Sequence, residues 1–225
     1  MQKLNDEQII ASWKLNASPW ITAIQEGQIE SRLLVTNKAI VNTVIQTGAR
    51  TCLDIGCGEG WLMRELEKSG ISSYGIDAIP ELIDFARKHG GGEFKLLPYE
   101  KLSHETINRS FDVAVCNFSL LGKASVERVF RQVPALLNNG GFFIVQTIHP
   151  VAGCGELGYQ NNWRQGSWSG FSADFSNPPP WYFRTLEEWQ NLYIKNGFLI
   201  KEIIEPLNPK TQTPASILFI GLKGC

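Results

Sequence analysis

The 225-residue chain predicts an α/β fold, a mostly parallel sheet with helices on both faces. Three observations carry the prediction. From residue 52 to residue 148, short apolar runs of strand composition alternate with helical patterns. The first run, Cys52 to Ile55, breaks into the alternate glycines Gly56, Gly58 and Gly60 and then into a helical pattern from Trp61. The next run ends in a carboxylate, Tyr74-Gly75-Ile76-Asp77, roughly 20 residues past the glycines. Glycines let backbone approach a ligand, a helix start offers unpaired N–H groups, and an acid at that distance can accept ribose hydroxyls. The pattern describes a seat for a nucleoside cofactor.

Residues 4 to 47 are predicted helical, with Pro19 as a break and Gly48 as the stop. They carry Trp13, Asn16, Trp20 and Arg32, which read as a cover over the ligand, with the tryptophans as mere packing anchors the competing reading. Strand 52–55 leads to helix 61–69, and strand 72–76 leads to helix 80–89, with Pro80 at a first helical position and Gly90 at the end. Phe94 to Leu97 and Phe111 to Cys116 read as strands three and four. Helix 125–137 runs into the turn signal Asn138-Asn139-Gly140-Gly141, and Phe142 to Ile148 is strand five. Right-handed crossovers place the ligand at the carboxyl ends of the first strands.

Residues 149–184 break the rhythm. They are rich in glycine and aromatics, among them Tyr159, Trp163, Trp181 and Tyr182, and a loop this long in a compact domain is usually a lid or binding segment. Helix 186–196 and strands 198–204 and 216–222 close the chain as a helix and an antiparallel hairpin. The expected division is one domain: a helical cap over 1–48, a cofactor-binding core over 49–148, an aromatic insert over 149–184, and a terminal helix and hairpin over 185–225.

A net charge of −1 and the lack of any Lys/Arg block disfavour binding along a nucleic-acid strand. No apolar run is long enough to span a bilayer, Met1 to Glu7 shows no apolar signal region, and the five cysteines form no CxxC pair. Reduced, packed thiols in a cytoplasmic protein are the expectation.

The residues Leu53 to Gly60, Gly75-Ile76-Asp77, Phe111 to Phe118 and Leu136 to Gly141, in this order, resemble the class I S-adenosylmethionine-dependent methyltransferases over nearly the whole chain. The small-molecule methyltransferases that include the quinone-biosynthesis enzymes are the most similar in flavour. The resemblance implies a Rossmann-like seven-stranded sheet whose last strand is antiparallel and inserted next to the fifth. It implies S-adenosylmethionine as cofactor, S-adenosylhomocysteine as product, and a small-molecule acceptor.

Carried over residue by residue, Asp54, Gly56, Cys57 and Gly58 surround the amino-acid end of the cofactor, and Gly60 turns the loop into its helix. Asp77 accepts the ribose hydroxyls, Ala78 flanks the adenine, and Tyr99 meets it through a backbone N–H. Asn117 and Phe118 line the sulfonium side, and Trp13 and Arg32 close over the cofactor. Pro98 stands where many relatives carry an adenine-binding Asp, a departure from the pattern. A nicotinamide-dependent oxidoreductase is the rival reading, but it wants its third glycine one residue later, where Trp61 stands. A non-catalytic cofactor-binding protein is the other alternative.

Methyl transfer is an in-line displacement that positioning can drive, with a base needed only if the nucleophile must lose a proton. His149, directly after strand five, is the candidate base, with a structural role as the competing reading. Trp20, Tyr159, Trp163, Trp181 and Tyr182 are candidate acceptor contacts, and Arg184 is a candidate partner for an acceptor carboxylate or phosphate. The run Asn177-Pro178-Pro179-Pro180-Trp181 reads as a stiff turn rather than a base-methylating motif. No metal ligands are assigned, and acceptor identity and oligomeric state stay open.

Overall fold

The computed structural model describes residues 3–224, so Met1, Gln2 and Cys225 lie outside the described residues. Helix α1 (Asp6–Gln25) opens with a capping box between Asn5 and Gln8. The predicted break at Pro19 does not occur, and the helix runs through it. Proline removes one backbone donor and crowds the carbonyl four residues back. That carbonyl belongs to Leu15, which is exposed, while Ala17 and Ala23 bury the opposite side. Solvent at Leu15 makes the defect tolerable. A π-helical turn (Arg32–Thr36) then leads into α2 (Asn37–Gln46), which stops at Gly48 with φ 72°.

The core follows as β1 (Thr51–Ile55), α3 (Trp61–Glu67), β2 (Ser72–Asp77), α4 (Pro80–His89) and β3 (Glu93–Leu96). A 3-10 turn (Tyr99–Lys101), α5 (His104–Ile107), β4 (Phe111–Asn117), α6 (Ala124–Leu136) and β5 (Leu137–Thr147) complete it. Helix α3 stops two residues short of the predicted end. The predicted turn at Asn138 to Gly141 lies inside β5, because Leu137 already pairs with Phe111 before the register jumps to Val113 opposite Phe142. The four residues form a bulge rather than the helix–strand turn expected.

After β5 come α7 (Pro150–Gly153), a 3-10 turn (Gly155–Leu157), β6 (Asn162–Arg164), β7 (Trp181–Phe183), α8 (Leu186–Lys195), β8 (Phe198–Ile204) and β9 (Ile217–Lys223). The seven-stranded sheet has the order β3-β2-β1-β4-β5-β9-β8, with β9 antiparallel between β5 and β8. The fold is thus Rossmann-like, with the terminal hairpin inserted beside β5. Inside the 149–184 insert, β6 and β7 pair as a separate ribbon. Arg164 organises it: its guanidinium donates to the carbonyls of Gly153, Cys154 and Gly158 and lies 3.6 Å from the Phe183 ring.

Side chains of the central strands alternate between two cores. Val113 and Val115 pack with Ile40, Val44, Leu62 and Leu66 of α2 and α3, whereas Ala114 and Cys116 pack with Val129, Phe130 and Trp189 of α6 and α8. That period of two buries both faces of a parallel sheet and explains its near-continuous apolar strands. Helix α1 packs on α4, Ala17 meeting Ile79 and Leu82, and so lies over the strand ends where the site forms. No helix among the described residues is long and apolar enough to cross a membrane.

Candidate active site

Parallel strands put their carboxyl ends on one edge, and four of them deliver residues to a cavity of about 370 Å³. Gly56 and Gly58 follow β1, Asp77 and Ala78 end β2, Asn117 and Phe118 end β4, and Ile148 follows β5. The loop after β1 is tied to the neighbouring strand by backbone bonds, Gly56 N and Cys57 N donating to the Ile76 carbonyl at 2.8 and 3.0 Å. Asp77 completes the tie, its carboxylate accepting from Gly58 N–H and Ile79 N–H at 2.9 Å each.

The glycines have separate reasons. A Cβ on Gly56 would collide with Ser119 and the Tyr99 hydroxyl. A Cβ on Gly58 would have only Trp20 Nε1 near it, at 3.7 Å, and would stand in the ligand space, while φ 57° disfavours any side chain there. Gly60, at φ 87°, starts α3 under Phe94 and does not line this cavity.

The loop is strongly acidic and dry. Burial raises the Asp54 pKa to about 8, with Asp77 and Glu59 adding to the shift. Burial also raises Glu59 and Asp77, opposed at Glu59 by the Trp61 N–H and Arg64 and at Asp77 by backbone N–H groups. Glu59 bonds Arg64 at 3.0 Å and is fully buried. Arg32 arrives from the π-turn, its guanidinium 4.5 Å from the Trp61 ring and 5.6 Å from Trp20. Burial brings its pKa down to about 10, partly offset by Glu59.

Three buried polar atoms have no protein partner here: Arg32 Nη2, Asp54 Oδ1 and Asn117 Oδ1. One free cationic donor and two free acceptors are what a zwitterionic amino-acid group requires, a donor for its carboxylate and acceptors for its ammonium. With the open space over Gly58 and the carboxylate of Asp77 on the lining, the residues fit S-adenosylmethionine.

The structure separates the sequence candidates by place. Gly56, Gly58, Asp77, Ala78, Tyr99, Asn117, Phe118, Trp13, Arg32, Trp20 and Trp181 line the main cavity. Asp54 and Cys57 lie beneath the loop, buried, and Pro98 caps the 3-10 turn beside Tyr99. The Tyr99 hydroxyl points away from a ligand role, toward the carbonyls of Ser119 and Ile55 at 3.3 and 3.5 Å.

His149, Tyr182 and Arg184 line a neighbouring smaller chamber instead. His149 caps α7, its Nδ1 accepting from Ala152 N–H at 3.3 Å, and its Nε2 lies 2.7 Å from Glu205 Oε1. With Nδ1 an acceptor, Nε2 carries the proton and donates to Glu205. Tyr159 and Trp163 line neither space; Tyr159 Oη accepts from Leu186 N–H, and Trp163 packs on Tyr182 across the ribbon.

The roof of the cavity joins the expected cover residues Trp13 and Asn16 to partners that carry no sequence signal, Asp6, Ser12, Ser176 and Trp168 among them. Asn16 exchanges bonds with the insert, donating to the Ser176 carbonyl at 2.8 Å and accepting from Ser176 N–H at 2.9 Å, while Ser12 donates to the Asn177 carbonyl. Asp6 accepts from Lys123 N–H and Ser125 N–H at 2.7 and 2.9 Å, pinning α1 to the start of α6. Trp13 meets both Trp20 and Trp168 edge to face, and Trp168 packs on Phe171 and Phe175. Partners more than 100 residues apart leave no local pattern. The aromatic density of the insert was the one available signal.

The methyltransferase-domain family matches residues 53–145. An uncharacterized methyltransferase of Schizosaccharomyces pombe is 28% identical over 186 residues, covering 77% of this chain and 68% of that protein. A ubiquinone biosynthesis O-methyltransferase of Bordetella avium is 30% identical over 105 residues, 44% of this chain and 43% of that protein, so the match spans less than half of that relative. Among solved structures, a 1,6-didemethyltoxoflavin-N1-methyltransferase of Burkholderia thailandensis, with bound S-adenosylhomocysteine, superposes with a TM-score of 0.65 at 16% identity, over 100% of this chain and 93% of that one.

Proposed function

Starting from a chain that is a class I S-adenosylmethionine-dependent methyltransferase, we propose that it methylates a small-molecule acceptor enclosed between the glycine loop and the aromatic insert. The observation that carries this reading is the roof. Helix α1 and residues 166–181 are bonded to each other over the strand ends, which supports an acceptor enclosed in a bounded cavity rather than laid along an open groove. A polymer could reach such a cavity only with one extruded base or side chain.

When bound, S-adenosylmethionine supplies a sulfonium-activated methyl group. The residues that would hold it are Arg32 for its carboxylate, Asp54 and Asn117 for its ammonium, and Asp77 for its ribose hydroxyls. Gly56 and Gly58 leave the backbone bare beside it. Phe118 and Trp181 exclude water from the space between the β4 end and the insert, where orientation contributes most of the rate. Among ionisable groups around that space, Asp6 and Asp77 are already accepting backbone N–H bonds. For His149 to take a proton, Ala152 N–H would first have to release Nδ1.

The test is transfer of labelled methyl from S-adenosylmethionine into a pool of small metabolites, run beside transfer RNA and bulk protein. Label in the small-molecule fraction alone is the expected result; label in either polymer alone would contradict it.

A further inference from the structure

Beside the main cavity lies the second chamber, of about 70 Å³. Phe118, Leu121, Ile148 and Trp181 line both spaces, so the two adjoin. The smaller chamber is lined mostly by apolar and aromatic side chains, with Thr147, His149 and Arg184 among them.

Arg184 is the anomaly there. It is 2% exposed and lies between the Tyr182 and Trp189 rings, at 4.9 and 5.2 Å. Its bonds go to two backbone carbonyls, of Lys123 at 3.1 Å and of Tyr182 at a long 3.5 Å. A guanidinium has five N–H donors, so most of its donor capacity is unspent. It makes no ion pair among the described residues, and Glu127, Glu188 and Asp6 act on it only from longer range. Burial lowers its pKa only to about 10, so it stays charged at neutral pH. Glu205, which bonds the chamber-lining His149, is paired there rather than with Arg184. A buried cation without a contact partner is unfavourable in the folded chain alone and becomes favourable when an anion arrives.

We propose that this chamber is a carboxylate subsite of the acceptor pocket, in which Arg184 receives the acidic end of the methyl acceptor while the acceptor's apolar body crosses Trp181 and Ile148 into the main cavity. The proposal rests on reading that cavity as the acceptor site. Two aromatic rings beside it and bonds to two carbonyls restrict the guanidinium, whose planar fork matches a carboxylate. The acceptor class is therefore a small aromatic or aliphatic acid.

Benzoate and benzamide, equal in shape and different in charge, test it by titration into the whole chain saturated with S-adenosylhomocysteine, with tryptophan fluorescence as the readout because Trp181 and Trp189 border the chamber. Benzoate is expected to bind at least about tenfold more tightly than benzamide, in line with a charge-assisted bond in a dry site. Arg184→Gln is expected to erase that preference, and Arg184→Lys, which keeps charge without the fork, to reduce it. Equal binding of the two probes by the wild-type chain, or an undiminished preference in both variants, would overturn the subsite. If Arg184→Gln does not fold, the wild-type comparison and Arg184→Lys decide. Affinity for S-adenosylhomocysteine is read in parallel: its loss in the wild type counts against the methyl-transfer reading, whereas the benzoate preference is measurable with or without it.

Discussion

The floor and the roof of the cavity are built by different means. The floor is backbone: the loop after β1 hangs from the Ile76 carbonyl and from Asp77, inside a sheet whose two faces are closed by α2, α3, α6 and α8. The roof is side chain, with Ser12 and Asn16 tying α1 to the insert, Asp6 tying it to α6, and tryptophans filling the gap. A floor fixed by a cooperative sheet cannot move without unfolding strands. A roof held by a few bonds and rings can open locally at small cost. In the proposed function, cofactor recognition falls to the rigid part and acceptor entry to the part that can open.

The largest effect is expected on the floor. Asp77→Ala removes an acceptor of two backbone N–H bonds and the proposed ribose contact, and should weaken S-adenosylhomocysteine binding by about 100-fold or more. Calorimetry measures it, and a change below about threefold would detach Asp77 from the cofactor. Asn16→Ala comes next and acts on the roof. Leaving Ser176 N–H and its carbonyl unpaired should cost about 1–3 kcal/mol locally. Hydrogen exchange should accelerate in residues 166–181 but not in β1 or β4, and S-adenosylhomocysteine affinity should stay within about threefold. Uniform acceleration through the sheet would erase the distinction between the two parts.

A smaller effect is expected from pH. The Asp54 pKa rises from its ordinary 3.8 to about 8 on folding, so the folded chain binds this proton more tightly than the unfolded one. The stability it contributes is fully present below pH 4 and is lost as pH rises through about 8. Without cofactor, the melting temperature should fall between pH 5 and pH 8.5, and Asp54→Asn should flatten that slope. Saturating S-adenosylhomocysteine, whose ammonium would pair with the ionised carboxylate, should flatten it as well. An unchanged slope in Asp54→Asn would place the titrating group elsewhere.

The same contrast explains what was legible in the sequence. Period-two strands, glycines at Gly56 and Gly58, and an acid at Asp77 are local signals of a floor made by local geometry, and the seven-stranded order follows from them together with the family resemblance. Pro19 misled because the penalty for an internal proline depends on whether the carbonyl it strands is wet, which no local pattern encodes. Asn138 to Gly141 misled because strand pairing had already begun at Leu137. Asp6, Glu205 and the partners of Asn16 were invisible because each acts on a residue more than 50 positions away. Glu59 has no sequence signal of its own, because its burial against Arg64 follows from how α3 packs.

The central claim, that the floor is a seat for S-adenosylmethionine, is tested most directly by calorimetric titration of the chain with S-adenosylhomocysteine, with NAD as the control. Saturable one-to-one binding of S-adenosylhomocysteine, abolished or strongly weakened in Asp77→Ala and absent for NAD, is the predicted result. Binding of NAD in its place, or of neither, would contradict it.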